Sequence, residues 1–141
     1  MIRIVLDSNI LISALFWGGN ERNLLVECRS GYYRSVTSYP IISEAEGVLR
    51  KKFGVPEDRI ITFAQSILMI SDLVIVPGIL DVVEDDPKDN KILETAVVGD
   101  ADFLITGDNH LLKIGSYEKI RILKAYDMLE MSQDRNQSGG Y

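Results

Sequence analysis

The chain opens with Ile2-Arg3-Ile4-Val5-Leu6, an apolar run rich in β-branched residues, and that run ends on Asp7. An apolar helix-like stretch follows at once, over residues 10–16, so Asp7 is expected where a buried strand emerges at the rim of a sheet. Late in the chain the same arrangement returns. Phe103-Leu104-Ile105-Thr106 is a continuous apolar run of the kind found in central parallel strands, and Gly107-Asp108 ends it. Between these two points strands and helices alternate. Strands are expected over 2–6, 32–37, 73–76, 103–106 and, at one edge, 121–123; helices over 10–16, 20–29, 38–53, 56–70, 109–114 and 125–131, with a further helix opening at Asp86-Pro87. Such alternation with short connections gives an α/β fold, an α/β/α sandwich around a central parallel sheet of about five strands. Parallel strands end at one common edge, so Asp7 and Asp108 share it, and that edge is where open α/β sheets bind ligands.

Two further acids fall near that edge. Ile41, Ile42, Ala45, Val48, Leu49 and Phe53 make a buried helical stripe with Glu44 and Glu46 on its opposite borders, and periodicity leaves both open as site residues. Asp86 is a natural helix cap, with Pro87 at the first helical position. Asp89 lies in the first turn, and Ile92, Leu93 and Ala96 continue from it on the face that enters the core. A carboxylate that only capped the helix would have no need to lie on that face. For each acid taken singly, capping a helix or solvating a turn competes with a functional role.

At 141 residues and 46% hydrophobic content the chain has room for one domain with a real core. That domain is expected to span 1–131; residues 132–141 are polar and lack apolar periodicity, and are expected to be disordered. No segment approaches the roughly 20 apolar residues of a membrane span. No basic-then-apolar leader is present either, so cytoplasm is the expected compartment. In the helix over 56–70, Ile60, Phe63, Ala64, Ile67 and Leu68 form one stripe, which Ile61, Met69 and Ile70 widen. Either the helix is buried on two sides within one chain or it supports a homodimer.

Cys28 is the only cysteine and His110 the only histidine. Thiolate clusters, multi-histidine metal sites and a histidine-pair ribonuclease mechanism are thereby excluded, and any metal is expected to be held by oxygen. Several carboxylates placed together repel unless protons or cations neutralise them, and Mg²⁺ and Mn²⁺ prefer oxygen ligands. A net charge of −6 argues at first against a nucleic-acid partner. Two divalent cations held by four acids would leave about −2, so the acidic balance fits a metal-dependent nuclease better than a simple nucleic-acid binder. With metals bound, water can attack a phosphodiester without a protein nucleophile. The sequence indeed offers no Gly-x-Ser-x-Gly turn or activated cysteine.

Leu6-Asp7-Ser8-Asn9-Ile10-Leu11, Glu44-Ala45-Glu46-Gly47-Val48-Leu49-Arg50, Asp86-Pro87-Lys88-Asp89-Asn90 and Ile105-Thr106-Gly107-Asp108 resemble, in order and spacing, the acidic motifs of PIN-domain ribonucleases. The nearest likeness is to the VapC-like branch, described as toxin components of bacterial and archaeal toxin-antitoxin pairs, and it covers roughly 1–131. The resemblance implies a Mg²⁺- or Mn²⁺-dependent endoribonuclease acting on single-stranded or exposed RNA, with Asp7, Glu44, Asp89 and Asp108 as metal-binding and catalytic acids. It selects Glu44 over Glu46, because the family's helical acid precedes a Val-Leu pair by four residues. It also implies that Ser8, Asn9 and Thr106 support the acids, that Asp86 matches an acid frequent in this branch, and that a small antitoxin protein is a partner. Lys91, His110 and Arg50, the last beside Lys51 and Lys52, are candidate substrate contacts, each against a plain reading as a solvated side chain or helix-end charge.

Other readings fit less well. A haloacid-dehalogenase-like phosphatase needs a second Asp where this chain has Asn9, and a receiver domain needs an acid pair that is absent. Phosphate-loop and dinucleotide patterns are missing. The alternative from another class is a non-catalytic PIN-like module that binds RNA or protein.

Overall fold

The computed structural model describes residues 1–139, with side-chain surroundings for 1–132. Its elements are β1 (Arg3–Leu6), α1 (Ser8–Phe16), α2 (Gly19–Arg29), β2 (Arg34–Ser38), α3 (Tyr39–Lys51), α4 (Glu57–Met69), β3 (Ser71–Val74), α5 (Asp89–Val98), β4 (Phe103–Ile105), α6 (Asn109–Leu112), β5 (Ser116–Tyr117), β6 (Ile120–Leu123) and α7 (Ala125–Gly139). β1 holds the centre. Ile4, Val5 and Leu6 are all buried, and β1 pairs in parallel with β2 on one side and β4 on the other. Apolar residues on successive positions suit a strand covered on both faces. The α/β/α architecture is therefore the one the alternation predicts.

The sheet order is β3-β2-β1-β4-β6-β5. The chain builds outward from β1 through β2 to β3, then returns to β4 on the other side. Strand order thus reverses between β1 and β4, the switch point at which such sheets leave a crevice beyond their strand ends. The register pairs Leu6 with Ile105, so the residues that follow, Asp7 and Thr106, start side by side at that crevice. At the opposite rim, Gly99 ends α5 where an added Cβ would collide with Val36 Cγ1, so glycine lets this helix close onto β2.

Four expectations need correction. The sheet has six strands, because Ser116–Tyr117 pairs antiparallel with β6 and takes the edge assigned to 121–123; two residues are too few to show a period. β3 runs over Ser71–Val74, two residues earlier than hydropathy indicates. Its register is set by polar partners: Ser71 Oγ donates to Ser35 Oγ at 2.8 Å, and Asp72 pairs with Arg3 and Arg34. The cap position of α5 is Lys88, while the Asp86 side chain accepts from Lys88 N at 3.2 Å and heads the preceding turn. Finally, α7 continues to Gly139, so the expected disorder over 132–141 fails for its described part. Ser132 is buried and donates to Glu27 at 3.3 Å, and no proline or glycine interrupts the sequence before Gly139. The last two residues, Gly140 and Tyr141, lie outside the described residues.

α4 buries Ile60, Phe63, Ala64 and Ile67 but leaves Ile61, Leu68 and Met69 exposed, and the neighbouring edge carries exposed Leu73 and Ile75. Among the described residues this helix is therefore buried on one side only. No helix among the described residues is long and apolar enough to cross a membrane.

Candidate metal centre

Asp7 leaves β1 and caps α1. Its Oδ1 accepts from Ser8 N at 2.7 Å, and its Oδ2 accepts from Thr106 Oγ1 at 2.7 Å and from Asn9 Nδ2 at 3.3 Å. Asp108, past β4, caps α6 by accepting from His110 N at 2.7 Å and Leu111 N at 3.4 Å. Capping and facing the crevice are thus compatible for both acids, since a helix N-terminus favours a carboxylate while one oxygen remains for other partners. Thr106 ties the two together: its hydroxyl donates to Asp7 and accepts from Asp108 N at 3.0 Å. Asn9 adds a second tie by accepting from Gly107 N at 3.1 Å.

Asp89 begins α5 and is buried, and its Oδ2 finds no hydrogen-bond partner among the described residues. Burial pushes its carboxyl up to about 7, and the charges of Asp108, Asp86 and Asp7 add to the shift. Asp7 is raised by burial as well, although the Thr106 hydrogen bond opposes the rise. Glu44 is raised by desolvation first and then by the charge of Asp7, with a Ser8 hydrogen bond acting against both. Glu44 therefore faces the Asp7–Ser8 corner, whereas Glu46 acts on Arg50 farther along α3.

Among the described residues, Asp86, Asp89, Asp108 and His110 form a group in which each offers one ligand atom, with all of these atoms within 4.8 Å of one another. His110 Nδ1 lies 3.7 Å from Asp108 Oδ1 and 3.9 Å from Asp89 Oδ2. Of the four acids expected from the sequence, Asp89 and Asp108 belong to this group, while Asp7 and Glu44 reach it through their charge. Asp86 and His110 stand in it beyond their expected parts, as a branch-frequent acid and a candidate substrate contact. Their signal was present in the sequence: Asp86 heads the Asp89 helix, and His110 lies two residues past Asp108.

A buried carboxylate oxygen without a donor, surrounded by other carboxylates, is costly unless a proton or a cation neutralises it. Three acids and one imidazole form an oxygen-rich donor set that fits a hard divalent ion. The residues present therefore suit such a metal.

Two residues on α5, missed in the sequence, hold the loop that brings Asp86 in. Buried Glu94 accepts from Gly78 N, Ile79 N and Leu80 N at 2.8, 3.0 and 3.0 Å. Asn90 Oδ1 accepts from Val82 N and Val83 N at 2.8 and 2.7 Å, and its Nδ2 donates to Val83 O and Pro87 O. Lys91 lines a groove beside Glu44, on the flank of α3. Arg50, another candidate substrate contact, is engaged elsewhere: its guanidinium pairs with Glu57 at the start of α4.

Residues 3–110 match a family model described as a PIN domain. A search of curated proteins found no match to the chain.

Proposed function

The chain belongs to the PIN-domain family, and from that premise we propose that it is a Mg²⁺- or Mn²⁺-dependent endoribonuclease. The observation that carries this reading is the buried, donorless Oδ2 of Asp89 among Asp86, Asp108 and His110. These residues, with Asp7 and Glu44 beside them, would hold the metal. The chemistry supplied by a divalent cation held there would be polarisation of a phosphodiester and activation of water. The chain's own residues set the geometry. Thr106 fixes the loops after β1 and β4 through one hydroxyl, and Ser8 and Asn9 hold the Asp7 carboxylate on the crevice side of α1. Asp7 and Glu44 extend the negative field along the crevice, so a phosphate strand binds productively only once cations offset it.

The test is cleavage of single-stranded RNA by purified protein with Mn²⁺ or Mg²⁺. Cleavage should vanish in EDTA; cleavage that persists there would defeat the proposal. Metal-independent RNA binding without cleavage would instead support a non-catalytic module. The toxin role is the finer part of the proposal. Expression of the chain alone should arrest bacterial growth, and co-expression of a small antitoxin encoded beside it should relieve the arrest; growth unaffected by the active nuclease would sink this role.

We further propose that the exposed Ile61, Leu68, Met69, Leu73 and Ile75 form a homodimer face. Sedimentation should show a dimer that Met69→Glu with Ile75→Glu splits. A monomer at high concentration would remove the idea.

A further inference from the structure

Between the start of α3 and the first turns of α5 runs a groove of about 390 Å³, lined by Tyr39, Ser43, Glu44, Lys88, Lys91 and Ile92. A volume of this size accommodates a nucleotide. Three features distinguish it from an ordinary surface cleft. Glu44, one of its walls, also lines a neighbouring cleft with Ser8 and Asn9, so the groove shares a wall with the corner that holds Asp7. Tyr39 is 73% exposed although it begins a helix whose other apolar residues are well packed, and no ring contact among the described residues occupies its face. Lys88 and Lys91 make no ion pair among the described residues, in a chain of net charge −6. Lys88 acts on Glu44 only through longer-range charge, so the direct hydrogen-bonding capacity of both ammonium groups is left for an anion that arrives with the substrate.

We infer that this groove seats a nucleotide neighbouring the scissile phosphate, with its base against the Tyr39 ring and its phosphate between Lys88 and Lys91. The inference rests on the nuclease reading of the acid cluster and adds a seat for one unpaired nucleotide to it, because a base paired within a duplex presents no free face to a ring. Aromatic stacking accepts any base, so Tyr39 supplies affinity and register rather than sequence choice. Ile92 and Pro40 add apolar lining, and the lysines stand on the α5 side.

Binding is best measured on an Asp89→Asn background, which keeps the RNA intact, by anisotropy of a labelled single strand of about twelve nucleotides. Adding Tyr39→Ala should weaken binding by roughly 5- to 100-fold, and Tyr39→Phe should restore it to within about twofold. A strand of the same length without bases should bind weakly and show no dependence on Tyr39. Lys88→Gln and Lys91→Gln should each lower the slope of log affinity against log salt by about 0.7. Lys119→Gln, which removes the same charge beside Asp100 at the opposite rim, should leave it unchanged. Equal affinity for Tyr39→Ala and its parent would overturn the inference. So would an equal loss on the strand without bases, which would mean that Tyr39 contacts sugar or phosphate and that no base stacks on it. If the unmodified chain cleaves RNA while Tyr39→Ala alters neither KM nor affinity, only this inference fails. If it cleaves nothing but Tyr39-dependent binding persists, the nuclease reading fails and the groove stands.

Discussion

Replacing Asp89 with asparagine is expected to lower metal-dependent RNA cleavage at least about a hundredfold while raising the melting temperature in metal-free buffer near pH 8 by about 5 °C. The two effects have one origin. In the folded chain the Asp89 carboxyl titrates at about 7, whereas an unfolded aspartate titrates near 3.9. Between those values the folded state keeps a proton that the unfolded chain has released, so metal-free stability falls as pH rises through this window. A shift of about three units is worth at most about 4 kcal/mol; water at the mouth of the site screens part of it, leaving roughly 2 kcal/mol. Asparagine has no proton to lose, so its advantage over the parent should be near zero around pH 4 and full by pH 8. Divalent cations compete with that proton, so they should raise the parent's melting temperature more at pH 8 than at pH 5 and the variant's hardly at all. A variant that melts with the parent across this range, or that cleaves as fast, would remove Asp89 from the centre of the site.

Asp7→Asn offers a contrast on the same carboxylate rim. Thr106 and Asn9 both donate to Asp7 Oδ2, so an amide nitrogen placed there would meet donors instead of acceptors. No stabilisation is expected from that change. Repulsion among acids alone would have predicted a gain at either position, and the hydrogen bonds separate the two cases.

What could be read from the chain was whatever follows from period and strand ends. The buried runs 2–6 and 103–106 each lead to an acid, and two adjacent parallel strands at a switch point bring those ends together. Polar satisfaction was not legible in the same way. The register of β3 depends on Ser35 and on Arg34, and apolar periodicity carries no information about either partner. The choice between Glu44 and Glu46 depends on which border of α3 meets Ser8, a tertiary fact. In the sequence Tyr39 is only a residue at the start of the helix over 38–53, because its exposure and the lysines across the groove are tertiary facts.

Glu94 is the clearest example of a residue hidden by this limit, and Glu94→Ala is expected to destabilise the protein by about 3 kcal/mol, or roughly 10 °C in melting temperature. In sequence it stands between Leu93 and Thr95 as one more helical acid. In the structure it is buried, and its two oxygens accept three successive backbone N–H groups, Gly78 to Leu80. Bonds to a charged acceptor contribute about 1.5–3 kcal/mol each, and alanine leaves all three donors unmet. Water reaches part of this exposed loop, which is why the expected loss stays near the value of one or two such bonds. Glu94→Gln should lose less, since its amide oxygen still accepts while its nitrogen opposes a donor. The loop so anchored runs on through Val82 and Val83, held by Asn90, to Asp86 at the metal centre. Loosening its start should therefore weaken divalent-cation binding about tenfold, the low end of what supporting residues contribute to metal sites. Calorimetric titration of Mn²⁺ alongside thermal melts separates the two consequences. Parent-like melting of Glu94→Ala would refute the anchoring role, and destabilisation with unchanged Mn²⁺ affinity would show that the loop does not position Asp86.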